Sequence, residues 1–208
     1  MKATELLIKQ HRLVEELFER FEEAEGDEQK DIFEQLAANL VAHDAIEREL
    51  FYPACEEALG EEDDILGESL VEHGVVEFSI FRADKNQGSE DFDKYVTVLK
   101  EMVEHHVKEE EKELLPKVKR EIEDEQLEEL GAAMEKRFEA AMRSDFRKPL
   151  QSNLQQVLDG KTRTSKKPAA RSANGVKAKP AGRSAPRVAR RRRSGSKTST
   201  RKQPRRKR

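Results

Sequence analysis

Glu104-His-His-Val-Lys-Glu-Glu-Glu-Lys-Glu-Leu-Leu-Pro116 sets His106 and Glu110 four residues apart. On a helix that spacing puts both side chains on one face, one turn apart. The face is apolar. Phe92, Tyr95, Leu99 and Met102 lead to His106 in steps of three and four, and Leu114 follows Glu110. A histidine and a carboxylate inside an apolar stripe are costly unless something pairs with them. A bound metal is the economical partner.

The same pattern stands earlier in the chain. His43-Asp-Ala-Ile-Glu47 has the same spacing, and Pro53 follows His43 by ten positions, as Pro116 follows His106. Its stripe runs Leu36, Leu40, His43, Glu47, Leu50. Each copy is preceded by one more histidine on an apolar face: His11 among Leu7, Val14, Phe18 and Phe21, and His73 among Leu66, Leu70 and Ile80. The separations, 32 residues from His11 to His43 and 33 from His73 to His106, describe one helical hairpin used twice.

Apolar period and capping residues predict helices over 3–24, 27–59, 61–85 and 89–115. Gly26-Asp27, Gly60 and Asn86-Gln-Gly88 separate them, Pro53 should kink the second, and Pro116 should kink or end the fourth. A fifth helix, separate from the fourth or continuous with it, is predicted over 117–144, with Leu127, Leu130, Met134, Phe138 and Met142 on one edge. No stretch alternates like a strand. The fold class is all-α: an up-down-up-down four-helix bundle with an additional C-terminal helix over residues 1–145. Residues 146–160 read as a linker, and 161–208 as a disordered basic tail too poor in apolar residues to offset its ordering entropy.

The net charge of −3 over 208 residues hides a division. Residues 161–208 hold 20 Lys and Arg and no acid, leaving 20 basic against 43 acidic residues in 1–160, a body of −23. The single Cys55 excludes an internal disulfide and fits a reducing compartment. No apolar run approaches the ~18 residues of a membrane helix, and the N-terminus lacks a signal-peptide apolar region. The expected location is cytoplasmic, with the tail on the nucleoid.

His11, His43, His73 and His106, with Glu47 and Glu110, come from four helices of one bundle. Six ligands exceed one tetrahedral zinc and suit two metals sharing bridging carboxylates. The symmetric assignment gives His11 and His43 to one metal, His73 and His106 to the other, with Glu47 and Glu110 between them. Glu15, Asp44 and Glu77 form a second tier, as ligands or as acceptors for imidazole N–H groups. His105 reads as a solvated histidine, and Glu109, Glu111 and Glu113 as an exposed charged face. Cys55 reads as a small apolar filler, and Phe18, Phe21, Phe51 and Phe78 as core.

His11, His43-Asp-Ala-Ile-Glu47, His73 and His106-Val-Lys-Glu-Glu110, followed by Leu-Phe-Tyr-Pro53 and Leu-Leu-Pro116, resemble the hemerythrin-like HHE cation-binding domain. The resemblance covers roughly residues 1–145, on the scale of one domain. It implies a non-haem centre of two iron ions, with the four histidines as terminal ligands and Glu47 and Glu110 as bridges. There is a departure. Oxygen-carrying hemerythrins have a second histidine one turn after the first on the third helix, where this chain has Glu77. They have an Asp bridge five positions after the last histidine, where this chain has Glu111. A centre richer in carboxylate favours ferric iron. That favours sensing of dioxygen, peroxide or nitric oxide, or iron handling, over reversible oxygen carriage. A structural or zinc-filled bundle is the alternative reading, and a di-iron peroxidase or oxidase is a second.

The tail carries two dense clusters, Arg190, Arg191, Arg192 and Arg193, then Arg205, Arg206, Lys207 and Arg208. Its composition resembles the C-terminal tails of linker histones and of some bacterial nucleoid proteins. Such a chain binds phosphates by releasing counterions. It has no aromatic residue to stack on bases, so the expected partner is nucleic acid without sequence preference. The plainer readings are a tail that solubilises the protein or folds back on its acidic body, and, in a eukaryote, a nuclear-import signal.

Overall fold

The computed structural model describes residues 1–60 and 64–158. Helix α1 (Ala3–Glu23) and α2 (Gly26–Ile46) form a first hairpin, and a π-helical turn (Glu47–Phe51) joins α2 to α3 (Tyr52–Leu59). Helix α4 (Asp64–Lys85) and α5 (Phe92–Glu109) form a second hairpin, and another π turn (Glu110–Leu114) joins α5 to α6 (Leu115–Glu121). These four long runs make the expected bundle. Helix α7 (Asp124–Met142) packs across α1 and α2, and α8 (Arg147–Leu158) packs on α4. Among the described residues there is no strand, and no helix is long and apolar enough to cross a membrane. All described residues belong to the first of the chain's two units, Met1–Lys167. The predicted disorder of 161–208, and its arginine clusters, lie outside the described residues.

The simple kinks expected at the prolines are π turns placed just ahead of them. Proline has no N–H, and its ring crowds the carbonyl four residues back. The Tyr52 N–H instead reaches the Glu47 carbonyl, and the Leu115 N–H that of Glu110. Each turn thus takes in one extra residue, and Pro53 and Pro116 fall in the first turn of the next α-helix, where the missing N–H costs little. The wider turn changes which residue is buried. Phe51 is in the core, whereas Leu50, expected on the stripe, is half-buried.

The fourth run therefore passes Pro116 and ends at Glu121, and the fifth helix begins only at Asp124. Ile122 is extended, and Gln126 accepts the Glu123 N–H at 3.4 Å, a capping interaction that starts α7. Gly131 lets α7 cross the start of α1. A Cβ there would lie 2.2 Å from the Met1 carbonyl oxygen. Within the stretch read as a linker, Arg147–Leu158 form helix α8. Phe146 and Leu150 enter the core, and Arg147 donates to Asp84 at 2.8 Å and to Glu34 at 2.9 Å.

Buried apolar residues form two separate clusters. One holds Phe18, Phe21, Phe33, Leu36, Phe92, Val96, Leu99 and Val103. The other holds Leu6, Leu7, Ile46, Phe51, Tyr52, Leu114, Leu115, Leu127 and Met134. Cys55 fills part of the second, as expected. Phe78 does not join the core; it is 52 % exposed on the outer face of α4. In each of the four helical runs the histidine falls between residues of the first cluster and residues of the second. The polar layer is a partition across the bundle.

Candidate metal centre

The four histidines meet in that layer, each from a different helix and each buried. They lie as two close pairs. The rings of His11 and His43 lie 5.0 Å apart, and those of His73 and His106 4.6 Å apart. Each ring turns Nε2 inward. His11 Nε2 is 3.2 Å from Glu110, His43 Nε2 3.2 Å from Glu47, and His73 Nε2 3.2 Å from the other Glu47 oxygen. His73 Nε2 and His106 Nε2 are 3.1 Å apart.

Each ring turns Nδ1 outward, onto an acceptor. His11 meets Glu111 at 2.9 Å, His43 meets Gln10 at 2.8 Å, His73 meets Asp44 at 2.5 Å, and His106 meets Glu72 at 2.9 Å. An Nδ1–H held by an oxygen leaves the Nε2 lone pair free for a metal. The inward atoms match that role. His11 Nε2, His43 Nε2 and all four carboxylate oxygens of Glu47 and Glu110 are buried without a hydrogen-bond partner. Orphaned carboxylates in a core are expensive, and cations at this point would satisfy them. His11, His43, Glu47 and Glu110 can converge on one ion, and Glu47, His73 and His106 on a second. Glu47 belongs to both groups. The donor set, imidazole with shared carboxylate, suits first-row transition-metal ions.

Electrostatics agree. Burial opposes a charge on His11, but Glu110, Glu47 and Glu111 outweigh it and push its pKa up to about 8. Burial also opposes charge on His73, and Asp44 and Glu47 carry it to about 10. Glu47 is held well below the usual range, because His43 and His73 overcome its burial. Raised His11 and His73 thus stand beside a lowered Glu47 in this layer.

The second-tier residues divide. Asp44 is an outer acceptor, holding His73 Nδ1 with the same oxygen that takes the Arg48 Nε–H at 2.5 Å. Glu77 is buried but does not reach the cluster. Arg48 at 3.3 Å and Asn153 of α8 at 2.5 Å hold its two oxygens, and burial, with the nearby Asp44 charge, lifts its pKa to about 7. Glu15 does not face inward; it is exposed and pairs with Arg12. Glu111, read as part of an exposed face, is instead the acceptor for His11. Sequence reasoning also passed over Gln10, Glu72, Arg48 and Asn153. It passed over Tyr52 too, whose buried hydroxyl is 2.8 Å from His73 Nε2. A signal was present: Gln10, Asp44, Glu72 and Glu111 each adjoin an inward-facing residue in the sequence.

Residues 2–118 match the family model described as Hemerythrin HHE cation binding domain. The crystal structure of a Hemerythrin HHE cation binding domain-containing protein from Mycobacterium kansasii is similar, with a TM-score of 0.61 and 25 % sequence identity. The match covers 78 % of this chain and 95 % of that one. No curated protein matches this chain.

Proposed function

Because the chain belongs to the Hemerythrin HHE cation-binding family, we propose that its bundle holds two non-haem iron ions and uses them to sense dioxygen, peroxide or nitric oxide, or to handle iron, while the basic tail tethers it to nucleic acid. One observation carries the metal reading: four inward imidazole nitrogens meet four carboxylate oxygens of which none has a hydrogen-bond partner. Bound iron would supply one-electron chemistry and open positions for a small ligand. The chain's own contribution is to fix the imidazoles through Gln10, Asp44, Glu72 and Glu111, and to keep water scarce. A cavity of about 30 Å³ touches all four histidines and is walled by Val14, Val41, Val76, Ile80 and Val103. It has room for roughly one water-sized molecule, which favours a diatomic or peroxide over a larger substrate.

Metal analysis with an optical spectrum tests this. Protein isolated aerobically should hold about two irons per chain, as two-metal sites with bridging carboxylates do. Glu47→Ala should lose both, since Glu47 belongs to both groups. His43→Ala and His106→Ala should each reduce iron sharply, and His105→Ala should leave the final content unchanged. Equal losses for His105→Ala and His106→Ala, or zinc in place of iron, would overturn the assignment.

A further inference from the structure

The pair His106/Glu110 has a companion one residue upstream. His105 and Glu109 are also four apart on α5, and so face the same way on the neighbouring side of the helix. On α4, the residue before His73 is Glu72. These three meet at the surface. His105 Nε2 lies 3.4 Å from one oxygen of Glu72 and 3.5 Å from Glu109, and one ligand atom from each residue falls within 4.8 Å of the others. The His105 side chain is 58 % exposed, Glu109 38 % and Glu72 17 %, so the group opens to water with Glu72 at its inner end. The other oxygen of Glu72 holds His106 Nδ1 at 2.9 Å. One carboxylate therefore belongs to the outer group and also supports a histidine of the centre.

We propose that His105, Glu109 and Glu72 form a separate surface site for a divalent transition-metal ion, which captures ferrous iron and hands it to the centre past Glu72. The site's role as a loading point rests on the di-iron reading; its capacity to bind a cation does not. One imidazole with two carboxylates suits Fe²⁺, Mn²⁺ or Zn²⁺. Three protein ligands leave the remaining positions to water, so the ion exchanges readily, as a transit site requires. The −23 of residues 1–160 draws cations toward such a mouth and raises their local concentration. The two carboxylates already flank the imidazole, so a cation can sit among the three without rearranging α4 or α5.

The test uses the full chain and two variants, His105→Ala and Glu109→Gln, neither of which touches the interior residues. Mn²⁺ titration of the protein as isolated, followed by paramagnetic resonance, should show one weak site per chain that both variants lose. Metal-free protein mixed anaerobically with Fe²⁺ should reach the same final iron content in all three forms. The variants should load at least about tenfold more slowly, within the range by which local charge alters on-rates. A Mn²⁺ site that survives in both variants, or equal loading rates at equal end points, overturns the proposal. Failure of the unaltered chain to take up interior iron would instead overturn the di-iron reading, and the Mn²⁺ arm would still decide whether the surface site exists.

Discussion

Stripped of metal by a chelator, the protein should unfold roughly 15–30 °C below its loaded form. An ion that binds only the folded state stabilises it by about 4 kcal/mol when present at a thousand times its Kd. In a body of this size each kcal/mol moves Tm by about 2–4 °C, and two ions sharing Glu47 add to one another. The gap should depend on pH in a stated direction. In metal-free protein, His11 and His73 titrate near 8 and 10, above the ordinary histidine value of 6.5. Their stabilisation is complete below about pH 6.5 and is lost as pH rises through 8 and then 10. Over that window the stripped protein should weaken while the loaded protein does not, so the difference in Tm widens. Scanning calorimetry of both forms from pH 6 to 10 checks this. A gap that is absent, or that narrows as pH rises, would mean the cations do not sit among these histidines.

A chain ending at Gly160 should lose its affinity for duplex DNA almost completely while keeping its iron. The motive is the division of charge, 20 basic and no acidic residues from Lys161 onward against 43 acids before it. Each phosphate neutralised contributes about −0.9 to the slope of log affinity against log salt. If half the tail cations engage, the slope is near −9, and affinity falls on the order of 10⁵-fold between 50 and 200 mM salt. The isolated tail peptide should bind more tightly than the whole chain, being free of the acidic competitor. Scrambled DNA should compete as well as any chosen sequence. Fluorescence anisotropy against salt measures all of these. Retained affinity in the shortened chain, or a peptide no tighter than the intact protein, would refute the tether.

The bundle and its polar layer were legible because each helix carries a single apolar stripe and each stripe is interrupted at the same depth. His11, His43, His73 and His106 could not all face inward without meeting. The π turns were not legible in the same way. Pro53 and Pro116 signal a broken hydrogen bond, but not that an extra residue relieves it, so Leu50 was expected on the buried stripe beside Phe51, and only Phe51 is fully buried. The outer acceptors escaped because they lie off the stripe. Glu72 and Glu111 look like solvated acids until the rotation of α4 and α5 brings them beside an imidazole. Helix α8 escaped because it is short and borders the basic tail, and because Leu150 offers only one fully buried anchor. Its polar attachments, Arg147 to Glu34 and Asp84, and Asn153 to Glu77, are long-range and leave no local trace.

The partition between the two apolar clusters bears on how such a protein can change over generations. A substitution beside Phe33 must be accommodated among its own neighbours, and one beside Leu127 among a different set. The layer of histidines and carboxylates separates the two. Each end of the bundle can therefore accept replacements, exchange whole segments with a relative, or change its packing, without consulting the other end. The seam is where the two ends meet, and there the histidines with Glu47 and Glu110 must keep their depth. Chimeras joined at that seam are the recombinants this architecture tolerates best.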